Sequence, residues 1–276
     1  MSGPMATVWF DGQLVDRELA HVAPTEHGLT VGDGVFETLK VVDGTPFALR
    51  RHLRRLHRSA DGMGLAAPET RLLAKAARAV CEANPGATKL RIMVTSGDGP
   101  AGSGRGDGPS TLVIFADDTP LATAPIVLAT VPWARNERSA VTGIKTTSYA
   151  ENVLALQWAH REEADEAVFA NTVDQLCEGS GTNIFVVLDD RLMTPPLSSG
   201  CLAGITRELL LEVTDAVEAP IPMSELDRCT EIFVTSSTRD VAAVASIDGR
   251  QLPAPPGPHT RAATVAFATL AADLDP

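Results

Sequence analysis

The sequence predicts two domains of mixed helix and strand, and three observations support this prediction. The chain has 276 residues, which is enough for one large or two modest domains. Apolar residues alternate at strand spacing in some stretches and recur at helical spacing in others. A polar, proline-containing break separates the two halves. We therefore predict a small α/β domain over residues 1–116, an interdomain linker over 117–124 and a larger domain over 125–276.

The first half of the chain alternates predicted strands and helices. Asp-Gly turns follow two of the strands, and each helix carries apolar residues three or four positions apart. The first helix has five arginines on its polar face, and we expect most of them to face solvent. Strands are predicted at 6–10, 13–15, 35–42, 90–95 and 111–116, and helices at 48–65 and 68–83.

A glycine-rich segment, 96–108, joins the last two of these strands. It contains no Gly-Lys-Ser/Thr sequence, so it is not a phosphate-binding P-loop. Arg105 is the only cation in the segment. Because loops often carry binding residues, Arg105 is a candidate substrate contact, while a flexible connector is the alternative.

Composition and charge exclude several classes of partner. The net charge is −12 and aromatic residues make up 4% of the chain, which disfavours nucleic acid. No apolar run reaches membrane length, and the N-terminus lacks the charged and apolar regions of a signal peptide. The four cysteines are far apart and form no C-x-x-C pair, so we expect no metal site. Free thiols in a cytoplasmic setting are the simplest interpretation.

In the second half, a lone lysine stands out. The chain has four lysines, and a nucleophilic lysine must be partly desolvated so that its amine can be neutral near pH 7. Lys145 follows a β-like segment and precedes a predicted helix at about 150–163, whereas Lys75 lies in a helix and is expected to be solvated. A surface charge is the alternative interpretation of Lys145. Further strands are predicted at 126–131, 166–170 and 231–235.

An acid and two hydroxyl-rich turns complete a set of groups with related chemistry. Glu178 is followed by Gly-Ser-Gly-Thr, and an acid beside such a tight backbone is buried only if it is paired. Gly204 and Thr206 stand at a predicted helix start, where free N–H groups bind phosphate. The turn at 236–238 is also rich in hydroxyls, although either turn alone could be a helix cap. Pyridoxal 5′-phosphate (PLP) needs a lysine, an acid for its ring nitrogen and donors for its phosphate.

The order of these motifs resembles the class IV aminotransferases, which are PLP enzymes of fold type IV. The family includes branched-chain and D-amino-acid aminotransferases and aminodeoxychorismate lyase. The resemblance spans roughly residues 5 to 250. The matching stretches are His27-Gly28, Gly32-Asp33-Gly34-Val35-Phe36-Glu37, His52-Leu53-Arg54-Arg55-Leu56, Gly143-Ile144-Lys145, Glu178-Gly179, Asn183-Ile184-Phe185, Thr194-Pro195-Pro196, Leu202-Ala203-Gly204-Ile205-Thr206-Arg207 and Thr235-Ser236-Ser237.

The resemblance implies roles for individual residues. Lys145 would bond to the cofactor aldehyde and move protons, Glu178 would keep the ring nitrogen protonated, and Arg55 would bind the phosphate. Thr38 and Arg105 would contact substrate. The other implied cofactor contacts are Tyr149, Gly204, Ile205, Thr206, Ser236 and Ser237. The resemblance also implies a homodimer whose larger domain binds the cofactor, with PLP in the cleft between two α/β domains.

Two reactions remain open, together with a non-catalytic alternative. Branched-chain enzymes usually have Phe-Glu-Gly-x-Arg where this chain has Phe36-Glu37-Thr38-Leu39-Lys40, and an aromatic residue in place of Val31. The Phe-Glu-Thr form and an arginine in a glycine-rich loop are most similar to aminodeoxychorismate lyases, so the preferred prediction is formation of 4-aminobenzoate and pyruvate. The alternative is a PLP-dependent aminotransferase that acts on D-amino acids or branched-chain amino acids and uses a 2-oxo acid acceptor. The non-catalytic alternative is a degenerate member of the family that binds PLP, or only its partners, and a protein that binds no PLP would be colourless when purified.

Overall fold

The computed structural model describes residues 5–120 and 125–276. The chain forms two compact units, the first made of Met1–Leu121, Ile144–Tyr149 and Asp273–Pro276, and the second of Ala122–Gly143 and Ala150–Ala272. The segments Ile144–Tyr149 and Asp273–Pro276 therefore belong to the first unit, although the sequence placed them in the second predicted domain. Residues 121–124 of the predicted linker lie outside the described residues.

The first unit is built on a six-stranded antiparallel sheet with two long helices. The strand order is β2-β1-β6-β5-β3-β4. The elements are β1 (Thr7–Phe10), β2 (Gln13–Asp16), α1 (His27–Thr30), β3 (Gly34–Val42), β4 (Thr45–Pro46), α2 (Leu49–Met63), α3 (Thr70–Ala83), β5 (Lys89–Thr95) and β6 (Thr111–Asp117).

Helices α2 and α3 belong to one core with the sheet. On β3, Val35 and Leu39 share a face because side chains alternate along a strand, and both are buried in the cluster that contains Leu53 and Leu56 of α2. Each buried leucine of this kind contributes roughly 1.5–3 kcal/mol of transfer free energy. Helix α2 ends at Gly64, whose φ of 64° is left-handed and closes the helix with hydrogen bonds to Ala60 and Asp61.

The second unit contains a nine-stranded mixed sheet. The strand order is β12-β11-β10-β13-β14-β7-β8-β9, with β15 paired to β14. Strand β7 runs parallel to β8 and β14. The elements are β7 (Ile126–Thr130), α4 (Ala150–Arg161), β8 (Glu166–Ala170), β9 (Leu176–Gly179), β10 (Asn183–Leu188), β11 (Arg191–Thr194), α5 (Ile205–Val213), β12 (Val217–Glu218), β13 (Glu231–Ser236), β14 (Asp240–Ile247), β15 (Arg250–Gln251) and α6 (Pro258–Leu270).

Two adjacent strands of this sheet, β10 and β13, are buried on both faces. All six residues of β10 are buried, and Phe185 of β10 stacks on Phe233 of β13 with ring centroids 4.8 Å apart. Helix α4 packs through Ala155 and Ala159 against the face that carries Phe169. Uninterrupted apolar strands of this kind are typical of sheets covered by helices.

Most of the predicted elements are confirmed, with boundaries shifted by one or two residues. The β-like segment expected before Lys145 is wrong, because residues 141–143 form turns. Gly143 has a φ of 75°, a left-handed conformation that an extended strand does not use. Among the described residues, no helix is both long and apolar enough to cross a membrane.

Candidate active site

Lys145 belongs to the first unit and is held against strand β3. Its carbonyl accepts a hydrogen bond from the Phe36 amide (3.0 Å), and its own amide donates to the Ser59 hydroxyl of α2 (3.3 Å). The next residue, Thr146, forms an isolated bridge with Val35. The main chain of Lys145 is therefore fixed by tertiary contacts rather than by a strand of its own.

The Lys145 side chain is half-buried on aromatic rings. Its Nζ lies 4.5 Å from the ring centroid of Phe36 and 5.7 Å from that of Tyr149. The two rings meet edge to face with centroids 5.2 Å apart. Lys75, by contrast, is exposed on α3, as the sequence predicted. Aromatic faces hold the Lys145 amine in a less aqueous setting than an exposed lysine has.

Arg91 shares the Phe36 ring and was missed by the sequence analysis. Its guanidinium carbon lies 4.3 Å from the Phe36 centroid, and Arg91 lies directly opposite Thr38 on the neighbouring strand. Burial lowers the pKa of Arg91. The signal was present in the sequence, because Arg91 stands between the apolar residues Leu90 and Ile92 and so points to the opposite face. Thr38 is half-buried on that same face.

A buried ionic cluster joins β3 to α2. Glu37 is fully buried, and both of its oxygens accept hydrogen bonds from Arg55, at 2.8 and 2.6 Å. The His52 ring also donates from Nδ1 to Glu37 Oε2 (2.6 Å). Burial lowers the pKa of His52, and the carboxylate acceptor requires a proton on its Nδ1. Arg55 is thus the buried member of the arginine face, while Arg50, Arg54 and Arg58 are exposed.

Arg105 is engaged within the first unit. Its Nε and Nη2 donate to the two oxygens of Asp33, both at 2.7 Å. Its Nη1 and Nη2 also donate to the carbonyls of Gly64 and Met63, at the end of α2. The hydrogen bond from Arg105 lowers the pKa of Asp33. The role of Arg105 as a substrate contact stays a prediction, and each of its three nitrogens already has a protein acceptor.

In the second unit, the acid Glu178 is buried and paired. Its Oε1 accepts a hydrogen bond from Arg135 Nη1 (3.1 Å), and its Oε2 accepts one from the Leu202 amide (2.9 Å). Arg135 also pairs with Glu151 (3.1 Å) and lies 4.1 Å above the Phe169 ring. The sequence required a partner for Glu178 but could not identify Arg135, which lies 43 residues away.

The second unit also brings the two hydroxyl-rich turns together through Asn183. Asn183 is paired with Thr235 across β10 and β13, and its Nδ2 donates to the Leu202 carbonyl (2.8 Å). Gly204 lies against this asparagine so closely that an added Cβ would overlap Asn183 Oδ1. Gly204 caps α5 without a side-chain hydrogen bond, which leaves the N–H groups of the first turn directed away from the helix. Thr206 in that turn is buried.

The second turn carries further hydroxyl groups. Among the described residues, the buried Thr235 hydroxyl has no hydrogen-bond partner. Ser236 is half-buried, and its hydroxyl lies 3.4 Å from that of Thr238. Ser237 is half-buried as well. A helix N-terminus without a side-chain capping bond and a turn of hydroxyls, both next to Asn183, form a donor set suited to a phosphate group.

The comparisons with known proteins identify the family. The family model "Amino-transferase class IV" matches residues 34–247. A putative branched-chain-amino-acid aminotransferase of Methanocaldococcus jannaschii is 31% identical over 254 residues, which is 88% of each chain. A D-alanine aminotransferase of Listeria monocytogenes is 29% identical over 267 residues, 89% of each chain. The chain belongs to the class IV aminotransferase family, whose enzymes depend on PLP.

Solved structures confirm the predicted fold class. The branched-chain aminotransferase of Thermoproteus uzoniensis superposes with a TM-score of 0.87 at 30% identity, covering 97% of this chain and 95% of that one. A putative 4-amino-4-deoxychorismate lyase of Legionella pneumophila superposes with a TM-score of 0.85 at 21% identity, covering 92% and 96%. At that identity the second comparison supports the PLP fold type IV architecture alone. The position of the cofactor relative to the two predicted domains stays a prediction.

Proposed function

We propose that this protein is an aminotransferase that moves an amino group between an amino acid and a 2-oxo acid. The observation that carries the proposal is the arrangement at Phe36, whose ring lies within 4.5 Å of both the Lys145 amine and the Arg91 guanidinium carbon. An amino acid carries an amine and a carboxylate on one carbon. A reactive lysine beside an arginine suits such a substrate, since an arginine binds a carboxylate through two parallel hydrogen bonds.

The residues present fit PLP. Within the described part of the chain, the buried Thr235 hydroxyl has no hydrogen-bond partner and the N-terminus of α5 at Gly204 has no side-chain cap, and both features suit the cofactor phosphate. Glu178 is an acid with both oxygens already oriented, which suits a protonated ring nitrogen. We assign Lys145 to the cofactor aldehyde and Arg55 to its phosphate, with Tyr149, Gly204, Ile205, Thr206, Ser236 and Ser237 as further contacts.

When bound, PLP supplies an electron sink for the electron pair left on the substrate carbon. The protein residues then have separate tasks. Lys145 would remove the proton from the amine-bearing carbon of the substrate and deliver it to the cofactor carbon that carried the aldehyde, and Arg91 would orient the substrate carboxylate. Glu178 keeps the ring nitrogen protonated, and Arg135 holds Glu178 in place as a carboxylate. Phe36 and Tyr149 limit the access of water to the Lys145 amine.

The second candidate function is the lyase that the sequence analysis preferred. It is favoured by the Phe36-Glu37-Thr38 motif, and Thr38 lies opposite Arg91 on the sheet. The lyase would need no 2-oxo acid, because pyruvate leaves as the substrate ring becomes aromatic. The relatives at 31% and 29% identity are named as aminotransferases, which is why we place the aminotransferase first.

A paired assay separates the two functions. The holoenzyme is incubated with a panel of L- and D-amino acids, each with 2-oxoglutarate or pyruvate, and separately with 4-amino-4-deoxychorismate alone. The aminotransferase predicts amino-group transfer that stops when the 2-oxo acid is omitted. Formation of 4-aminobenzoate without any 2-oxo acid, and no transfer with the amino-acid panel, would overturn the first proposal and support the lyase. Arg91→Lys, which keeps the charge but loses the paired hydrogen bonds, should raise KM for the productive amino acid at least tenfold.

The assembly and location of the enzyme are also proposals. We infer a homodimer that acts on small amines or amino acids in the cytoplasm, from the resemblance of the motifs to the family. The test is the mass of the holoenzyme in solution, measured by light scattering. A monomeric mass at working concentration would contradict the dimer.

A further inference from the structure

Glu166, the first residue of β8, is a buried carboxylate that the proposed function does not use. It is 3% exposed. Its Oε1 accepts hydrogen bonds from the amide of Ser180 (2.9 Å) and from the Ser180 hydroxyl. Its Oε2 accepts one from Arg239 Nη1 (3.1 Å). Burying a carboxylate without partners costs free energy, and these hydrogen bonds offset that cost for Glu166. They do not by themselves explain which parts of the protein Glu166 connects.

The two partners of Glu166 belong to two segments that the proposed function assigns to the cofactor. Ser180 is two residues after Glu178, and its carbonyl accepts a hydrogen bond from Asn152 (2.5 Å). Arg239 follows the hydroxyl-rich turn directly, and its amide donates to the Ser236 carbonyl (3.2 Å). Glu166 therefore connects the segment that carries the ring-nitrogen acid to the turn assigned to the phosphate.

The backbone ladder nearest to this connection joins β10 to β13 and ends at the pair Asn183–Thr235. Residues 180–182 lie between β9 and β10, and residues 237–239 lie between β13 and β14, so both segments lie just beyond the end of that ladder. The ion pair between Glu166 and Arg239 thus adds a side-chain connection between two segments that the β10–β13 ladder does not itself include.

We propose that Glu166, acting through Arg239 and Ser180, is a positioning residue that sets the separation of these two segments and thereby the affinity for the phosphate end of the cofactor. The inference rests on the proposed function, in which Ser236 and Ser237 bind the phosphate. Ser180 is not assigned as a donor to the cofactor, because its hydroxyl has one proton and already donates it to Glu166. Arg239 keeps its turn in place because its guanidinium is held by a buried charge.

The test measures cofactor retention rather than turnover. Holoenzymes of the wild type, Glu166→Gln and Arg239→Gln are dialysed against falling concentrations of PLP, and the dissociation constant is taken from the cofactor absorbance that remains. We expect either substitution to raise the dissociation constant of PLP about tenfold, the effect of losing roughly 1.4 kcal/mol of phosphate binding. With pyridoxal, which lacks the phosphate, the change should be less than about twofold, on the same conversion of affinity to free energy.

Three variants sharpen the result. Arg239→Lys keeps the charge and should retain most of the PLP affinity. The double variant Glu166→Gln with Arg239→Gln should bind PLP about as weakly as either single variant, because partners in one ion pair are not additive. Arg228→Gln removes an exposed ion pair with Asp189 and Glu225 in the same unit and should leave the PLP affinity unchanged.

The outcomes separate this inference from the proposed function. A wild-type protein that retains no PLP would overturn both. Wild-type retention together with unchanged PLP affinity in Arg239→Gln would overturn only the positioning role, and this variant stays informative if Glu166→Gln fails to fold, because the Arg239 side chain is 21% exposed. Equal losses of affinity for PLP and pyridoxal would also overturn it, since they would mean that the pair stabilises the fold without acting on the phosphate end.

Discussion

The buried carboxylate of Glu37 allows a direct test of how much its ion pair with Arg55 contributes to the free energy of unfolding. Glu37→Gln keeps the size of the side chain and removes its charge. Arg55, which is 4% exposed, would then be left as a buried cation beside a neutral amide. The amide nitrogen would also face groups that can only donate, since Arg55 and His52 both donate to Glu37. We therefore expect the first unit to lose stability at neutral pH.

The magnitude follows from the pKa of Glu37. Burial raises this pKa, but the charge and hydrogen bonds of Arg55 and the hydrogen bond from His52 lower it from 4.5 to about 2. A difference of this size corresponds to ~3 kcal/mol in the free energy of unfolding at neutral pH. Breaking a buried ion pair by removing one partner typically costs about 3–5 kcal/mol, which agrees with it. We expect a loss of about 3 kcal/mol in the variant.

The dependence on pH has a definite sign. The pKa of Glu37 is lower in the folded protein than in the unfolded chain, so its contribution is complete above pH 4.5 and is lost as the pH falls through about 2. A protonated glutamate resembles glutamine in charge. The difference in stability between the wild type and Glu37→Gln should therefore be constant above about pH 5.5 and shrink below pH 4.5.

Urea unfolding of the wild type and Glu37→Gln at a series of pH values from about 8 to about 4 measures this difference. The matched control is Glu69→Gln, because Glu69 is exposed at the start of α3 and its side chain makes no capping hydrogen bond. The control should differ from the wild type by less than about 0.5 kcal/mol throughout. Equal stability of Glu37→Gln and the wild type at pH 7 would refute the argument, as would a difference that grows on acidification.

Three further results are expected. Lys145→Ala should abolish the visible absorbance of protein-bound PLP and nearly all turnover, whereas Lys75→Ala should change neither; retained absorbance and activity in the first variant would exclude Lys145 as the nucleophile. Glu178→Gln should retain PLP but lower kcat by about 100-fold or more, because an amide does not stabilise the proton on the ring nitrogen, and near-normal kcat would make Glu178 a structural residue. Arg105→Ala should raise KM about tenfold without changing the PLP absorbance, because a contact with the substrate carboxylate would be lost; an unchanged KM together with increased amide hydrogen exchange over residues 97–108 would leave Arg105 as a structural link to its loop.

Elements that depend on local patterns could be predicted from the sequence. Neighbouring residues show the alternation of apolar and polar side chains in β3 and β5 and the helical spacing in α2. The direction of each side chain follows from these two patterns. The same rule places Glu37 on the buried face of β3 with Val35 and Leu39, which already requires a partner for its charge. The position of Arg55 one helical turn from His52 on the inner face of α2 is likewise a local property.

Pairings between distant segments could not be predicted. Glu178 needed a cation, but the chain has many arginines, and the choice of Arg135 depends on how β9 and the segment after β7 approach each other. Arg105 was a candidate for substrate because its loop has no other cation, yet the structure pairs it with Asp33, 72 residues earlier. Lys145 was expected to follow a strand, but its position depends on the Phe36 amide rather than on its neighbours in sequence.

The discontinuity of the first unit has a consequence for how the protein can be divided or synthesised. Two of its backbone hydrogen bonds join residues that are translated far apart: the Phe36 amide bonds to the Lys145 carbonyl, and the Ala48 amide bonds to the Leu274 carbonyl (2.7 Å). During synthesis, β3 and the start of α2 are translated before the residues that bond to them. Lys145 follows more than 100 residues after Phe36, and Leu274 follows after the rest of the second unit. A gene cut near residue 121 would give an N-terminal fragment that lacks both hydrogen bonds and Lys145. In split versions of this enzyme, the second fragment therefore has to bind before the Lys145 amine can contact the Phe36 ring.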